Sequence, residues 1–164
     1  MDIKELKPTS IWHYFDAITG VPRPSKKEER IREFLLNFAK EQNLEVKVDK
    51  TGNVVITKEA TPGCEGAPTV ILQAHMDMVC EKNGDVKHDF ERDPIETYID
   101  GEWVKARGTT LGADNGIGMA AAMAVLADKE LKHGRIQALF TVDEETGLTG
   151  AFGLESGMID GKYL

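Results

Sequence analysis

The strongest constraint on what this chain can fold into is the placement of three acid-bearing segments, His75-Met76-Asp77, Asp114-Asn115-Gly116 and Asp143-Glu144-Glu145. The first follows Thr69 to Gln73 and the last closes Arg135 to Val142, two apolar runs that read as strands. The middle one opens Met119 to Ala127, whose Ala, Met and Leu content favours helix. Segments that leave strands and open helices gather at one rim of a sheet, where open α/β folds place their ligands. Imidazole together with several carboxylates is the donor mixture of zinc and manganese hydrolase sites.

The rest of the chain fits an α/β class. Thr9 or Ser10 can cap a helix carrying Ile11, Trp12, Phe15 and Ile18 on one stripe, and Gly20, Pro22 and Pro24 end it. Ser25 and Glu28 spell a capping box before a second helix with Ile31, Phe34, Leu35, Phe38 and Ala39 at helical spacing. Leu44 to Asp49 and Val54 to Ile56 read as a hairpin around Thr51-Gly52-Asn53, and Asp100-Gly101 turns a second one. Residues 81 to 94 are charged and irregular, as in a surface loop. Alternating strands and helices predict a three-layer α/β/α architecture, and Lys162-Tyr163-Leu164 reads as the beginning of a further strand.

Charge and composition narrow the function classes. Lys and Arg total 20 against 28 Asp and Glu, a net charge of −8 that repels phosphate backbones, so nucleic acid is not an expected partner. No apolar run reaches the roughly 20 residues of a membrane helix. Met1 to Glu5 is too acidic for a secretory signal, so a cytoplasmic location is expected. The two cysteines, Cys64 and Cys80, form no C-x-x-C pair and read as reduced thiols, with Cys80 a minor ligand candidate. His13, His88 and His133 read as surface residues.

In H-x-D on an extended strand both side chains point to the same side, so His75 can bind a metal while Asp77 accepts its other ring N–H. The plain alternative is a strand-end His-Asp hydrogen bond. Asp114, between Gly112 and Gly116, can hold one ion on each oxygen, as two-metal hydrolases require, or can simply cap the helix. Asp143-Glu144-Glu145 is ordinarily a solvated turn. At a strand exit, however, neighbouring carboxylates diverge, which makes Glu145 a ligand candidate and Glu144 a candidate general base. The stretch Gly112 to Gly118 matches neither G-x-G-x-x-G nor a P-loop.

At these residues the chain resembles the co-catalytic zinc peptidase superfamily of carboxypeptidases, aminoacylases and dipeptidases. Thr110-Leu-Gly-Ala-Asp-Asn-Gly-Ile-Gly118, Val21-Pro-Arg-Pro-Ser25 and His75-Met-Asp-Met-Val-Cys-Glu-Lys82 are similar to its bacterial aminoacyl-histidine, or Xaa-His, dipeptidase branch. The resemblance implies that His75 binds one metal, Asp114 bridges two and Glu145 binds the second, with Asp77 orienting His75 and Glu144 activating water. It implies two divalent ions, zinc foremost with manganese or cobalt as substitutes, a dipeptide substrate and a homodimeric full-length protein. It also implies a cis peptide between Asp114 and Asn115.

The family takes a further acidic ligand and a last histidine from beyond Leu164, and Asp160 lies too early to replace the former. Residues 1–164 are therefore expected to be the N-terminal part of the catalytic domain, without the inserted lid and dimerisation domain. Weak or partial metal occupancy and no peptidase activity are expected of this piece alone. Two rival readings stand beside this one: a deacylase or carboxypeptidase acting on N-acyl amino acids, and a non-catalytic metal-binding or interaction module.

Overall fold

The computed structural model describes residues 2–164. A 3-10 turn, Ile3–Glu5, leads into helix α1, Thr9–Thr19, which buries Phe15 and Ile18. The helix starts one residue earlier than capping by Thr9 would allow. Pro8, fixed at φ −69° and extended, takes the N-cap position, and no side chain caps the helix. Gly20 closes it as expected.

Helix α2, Glu29–Glu41, buries Ile31, Leu35, Phe38 and Ala39, the stripe its periodicity predicts. The Ser25-Glu28 capping box does not form, because both side chains serve the rim of the sheet instead. The Ser25 hydroxyl donates to Asp77 Oδ2 at 2.7 Å, and Glu28 Oε1 accepts the Lys26 and Asp143 N–H groups at 2.9 Å each. Buried acids need donors more than a solvated helix end does.

Strands β1, Glu45–Val48, β2, Val54–Lys58, and β3, Val70–His75, are followed by a separate hairpin of β4, Thr97–Asp100, and β5, Trp103–Ala106. Helix α3, Ala113–Ala127, strand β6, Ile136–Thr141, and a single helical turn α4, Thr149–Phe152, complete the order. The main sheet runs β1-β2-β6-β3. Its first two pairings are antiparallel, whereas β3 and β6 run parallel, with Ala74 beside Phe140 and His75 beside Thr141.

Side chains alternate across the sheet. Val54, Ile56, Ala74, Met76, Ala138 and Phe140 join Phe15, Leu35, Met119 and Met123 in one large core under α1, α2 and α3. Each fully buried Leu, Ile, Phe or Met there contributes ~1.5–3 kcal/mol by removal from water. Val55, Ile71 and Leu139 face the other way and meet Met158, with Leu154 and Ile159 packed beside them. The α/β class predicted from sequence is therefore present. Helices α1, α2 and α3 pack on one face, and the segment from Leu154 to Ile159 lies against the other. Tyr163 bridges to Val70 in parallel, as the expected further strand would begin.

This topology brings the acids together. Parallel neighbours end at the same rim, so the exits of β3 and β6 deliver His75-Met76-Asp77 and Asp143-Glu144-Glu145 side by side. The N-terminus of α3, which packs on both strands, brings Asp114 to the same edge.

Candidate metal centre

His75 is buried at the end of β3. Its Nδ1 lies 3.0 Å from the Asp77 carbonyl oxygen and 3.3 Å from Asp77 Oδ1. Its Nε2 lies 2.9 Å from Asp114 Oδ1 and 3.8 Å from Glu144 Oε2. Burial opposes charge on the ring, but hydrogen bonds to Asp77 and Asp114 outweigh it and raise the imidazole to about 9.

Asp77 is fully buried. Its Oδ1 accepts the Glu144 N–H at 3.0 Å, and its Oδ2 accepts the Glu145 N–H at 3.2 Å as well as the Ser25 hydroxyl. Burial alone would raise this carboxyl. His75 and these three donors instead hold it well below the usual carboxylate range. Asp77 thus orients the imidazole on one side and fixes the backbone that carries the two glutamates on the other.

Asp114 sits where α3 departs from helical geometry, at φ −84° and ψ 113°, and its peptide bond to Asn115 is cis, as expected. Its carboxylate does not cap the helix. It turns to His75 and leaves its side chain 84% exposed. Gly112 enters this turn with φ 69°, a left-handed conformation that glycine adopts without a Cβ clash.

Asp143 also adopts positive φ, 49°, a region in which aspartate is enriched, and this turns the chain sharply at the end of β6. The three consecutive acids consequently diverge. Asp143 points inward to the hydroxyls of Thr146 and Thr149, while Glu144 and Glu145 face the rim. Burial first, then the charges of Asp114, Glu144 and Asp77, push Glu145 up against the opposing pull of His75.

One ligand atom from each of His75, Asp114 and Glu145 lies within 4.8 Å of the others. One imidazole and two carboxylates at that spacing fit a divalent cation, since His75 can keep Nδ1–H on Asp77 while Nε2 faces the acids. Beside them an open cleft of about 330 Å³ is lined by Val79, Leu111, Ala113, Asp114 and Glu145. A larger cleft of about 490 Å³ near Lys4, His13 and Asp128 lacks converging carboxylates.

Other sequence candidates fall outside the cluster. Cys80 Sγ meets the Met78 carbonyl at 3.5 Å, and burial pushes its thiol up. His13 is exposed and His88 half-buried, but His133 is buried, with Nδ1 2.7 Å from the Gly134 carbonyl, which corrects its reading as a surface residue. Residue spacing gave no sign of Asn53. Its Oδ1 accepts the Val142 N–H at 3.1 Å, and its Nδ2 donates to Asp49 Oδ2 and the Gly150 carbonyl.

A parallel-stranded rim with an imidazole and two carboxylates converging on it offers the donors of a divalent-cation site, and residues 71–163 match the family model of Peptidase family M20/M25/M40. The chain belongs to that family. It is 51% identical over 163 residues to the cytosol non-specific dipeptidase of Escherichia coli (strain K12), covering 99% of this chain and 34% of that relative. The aminoacylhistidine dipeptidase structure from Vibrio alginolyticus superposes with a TM-score of 0.96 at 57% identity, over 98% of this chain and 33% of that one. The aminopeptidase PepT structure from Bacillus cereus ATCC 10987 gives a TM-score of 0.76 at 29% identity, over 94% and 41%. The chain thus spans about a third of the length of the curated dipeptidase it matches. Among the described residues no helix is long and apolar enough to cross a membrane.

Proposed function

We propose that this chain is the N-terminal part of the catalytic domain of a cytoplasmic, metal-dependent dipeptidase, and that Xaa-His dipeptides are among its substrates. The observation that carries the reading is the convergence of His75, Asp114 and Glu145 within 4.8 Å at the sheet rim. The dipeptidase names of the relatives from E. coli and V. alginolyticus support the substrate class, and the word cytosol in the former supports the location.

In this reading His75, Asp114 and Glu145 would hold the divalent ions, with the exposed Asp114 carboxylate lying between the other two ligands in the chain's order. When bound, the ions supply Lewis acidity at the scissile carbonyl and at the attacking water. Asp77 keeps Nδ1–H of His75 in place, so that Nε2 is the nitrogen offered to the rim. Glu144, beside the cluster at 3.8 Å from His75 Nε2, takes a proton from the water and returns it to the departing amine. The cleft lined by Val79, Leu111 and Ala113 receives an apolar part of the substrate.

Calorimetry with zinc and manganese on the complete encoded protein, paired with turnover of a panel of dipeptides and N-acyl amino acids, tests this. Wild type is expected to bind ions and cleave dipeptides, and His75→Ala to lose both. Glu144→Gln is expected to keep the ions and lose about 10²- to 10⁴-fold in kcat, the usual contribution of a general base. Undiminished ion binding by His75→Ala overturns the metal centre, and preferential cleavage of N-acyl amino acids replaces the dipeptidase with a deacylase.

A further inference from the structure

The segment Val21-Pro-Arg-Pro-Ser25 reads at first as a helix terminator, yet Arg23 is only 2% exposed and is the largest fully buried side chain in the molecule's described part. Its guanidinium has no carboxylate in ion-pair range among the described residues. It spends its donors on backbone carbonyls. Nη1 donates to Met76 O at 3.1 Å and to Asp77 O at 3.0 Å, and Nη2 donates to Gly112 O. The backbone of the same segment continues the contact, because the Arg23 carbonyl accepts the Met78 N–H at 3.2 Å and Pro24 bridges in parallel to Met78.

These acceptors lie on two different loops. Met76 and Asp77 belong to the exit of β3 that carries His75, and Gly112 immediately precedes the turn that carries Asp114. The glycines of the second loop are shaped to the guanidinium: a Cβ on Gly112 would fall 2.5 Å from Arg23 Nη2, and one on Gly116 would fall 2.7 Å from it. A buried arginine is costly to desolvate, and burial pulls its pKa down to about 10 while Asp77, Cys80, Asp114 and Glu145 favour its charge. Such a group persists where its planar fork reaches several acceptors at once, which a lysine ammonium on a flexible stem does not reproduce.

We propose that Arg23 is a positioning residue that clamps the His75 loop to the Asp114 loop, fixing the separation between the imidazole and the Asp114 carboxylate. The inference rests on the metal-centre reading given above. Thr110 ties the start of this loop to the Val79 and Glu81 carbonyls, but Arg23 makes the hydrogen bonds that join Gly112 itself to Met76 and Asp77, so without the clamp an ion must order that turn as it binds and its affinity falls.

The test compares wild type, Arg23→Lys, Arg23→Ala and His75→Ala in the complete encoded protein. Three quantities are read: folding by circular dichroism, zinc affinity by calorimetry, and the visible absorption of the cobalt-loaded protein, which reports ligand geometry. Both Arg23 variants are expected to stay folded, bind zinc about 10- to 100-fold more weakly, the range seen when outer partners of metal ligands are removed, and show an altered cobalt band. Millimolar methylguanidinium is expected to restore the wild-type cobalt band to Arg23→Ala and not to Arg23→Lys. Folded Arg23 variants with wild-type affinity and spectrum, while His75→Ala loses zinc, overturn the clamp alone. Unfolding of both Arg23 variants that methylguanidinium does not repair overturns it in favour of a role in folding. Zinc binding by His75→Ala equal to wild type breaks the metal-centre reading instead.

Discussion

Two groups of acids lie next to each other at the rim of the sheet, and they differ in what is aimed at their oxygens. Glu28, Asp77 and Asp143 are all buried, with ligand-type oxygens within 4.8 Å of one another. Every one of them is supplied with donors: Asp77 by Ser25, Glu144 and Glu145, Glu28 by two backbone N–H groups, and Asp143 by two threonine hydroxyls. In the neighbouring group the exposed Asp114 carboxylate meets His75, and Glu145 lies among other negative charges. Carboxylates whose lone pairs are already taken by the protein hold the fold, and those left short of donors are available to a cation. Two side chains that carry the same carboxylate group two residues apart, Asp143 and Glu145, thus meet opposite surroundings.

The sharpest way to break this contrast is Asp114→Ala. In the complete protein it is expected to lower zinc affinity by more than about 100-fold, beyond the 10- to 100-fold cost of losing an outer partner. Without metal it is expected to lose only the His75–Asp114 hydrogen bond, about 0.5–1.5 kcal/mol. A large loss of stability would show that Asp114 belongs with the structural acids.

Asp143→Ala should do the reverse. It removes the hydrogen bonds that Asp143 accepts from the exposed Thr146 and Thr149 hydroxyls and is expected to cost about 0.5–1.5 kcal/mol for each, read from urea unfolding. Ion stoichiometry should survive. Loss of the ions with unchanged stability would erase the distinction between the two groups.

A smaller effect sharpens the role of Asp77. Its carboxyl is held low in the fold, so its stabilisation is complete above about pH 4, the ordinary carboxylate value, and is lost as pH falls through its lower folded value. His75 has the opposite sign. Its contribution is full below about pH 6.5 and is lost as pH rises through about 9. Thermal melts of the metal-free protein across the pH range should therefore decline at both the acid and the alkaline end. Asp77→Asn should flatten both limbs, because the same carboxylate supports both shifts. An unchanged alkaline limb would mean that Asp114 alone raises His75.

Much of the scaffold was legible in the residues. The stripes Ile31-Leu35-Phe38 and Phe15-Ile18 and the apolar runs before His75 and Asp143 each supply buried core residues. The gathering of the three acidic segments followed from two strand ends and one helix start, since parallel neighbours finish at the rim where the helix between them begins. What local spacing did not reveal were partners chosen across the fold. Ser25-x-x-Glu28 satisfies a capping pattern, but buried Asp77 and the Asp143 N–H compete for those side chains and win. Arg23 between two prolines carries no periodic signal, and neither do Asn53 under the β6 exit or the burial of His133. These are tertiary facts, settled by which loops meet.

The pairing of His75 with Thr141 has one more consequence. Because side chains alternate along a strand, sliding β3 by a single position against β6 would turn Ala74 and Met76 out of the oily interior and swing the imidazole to the opposite surface. Misalignment therefore leaves no intermediate in which the interior is sound and the ligands scattered. For this molecule a stoichiometric ion count reports, at the same time, that its two central strands have locked in step.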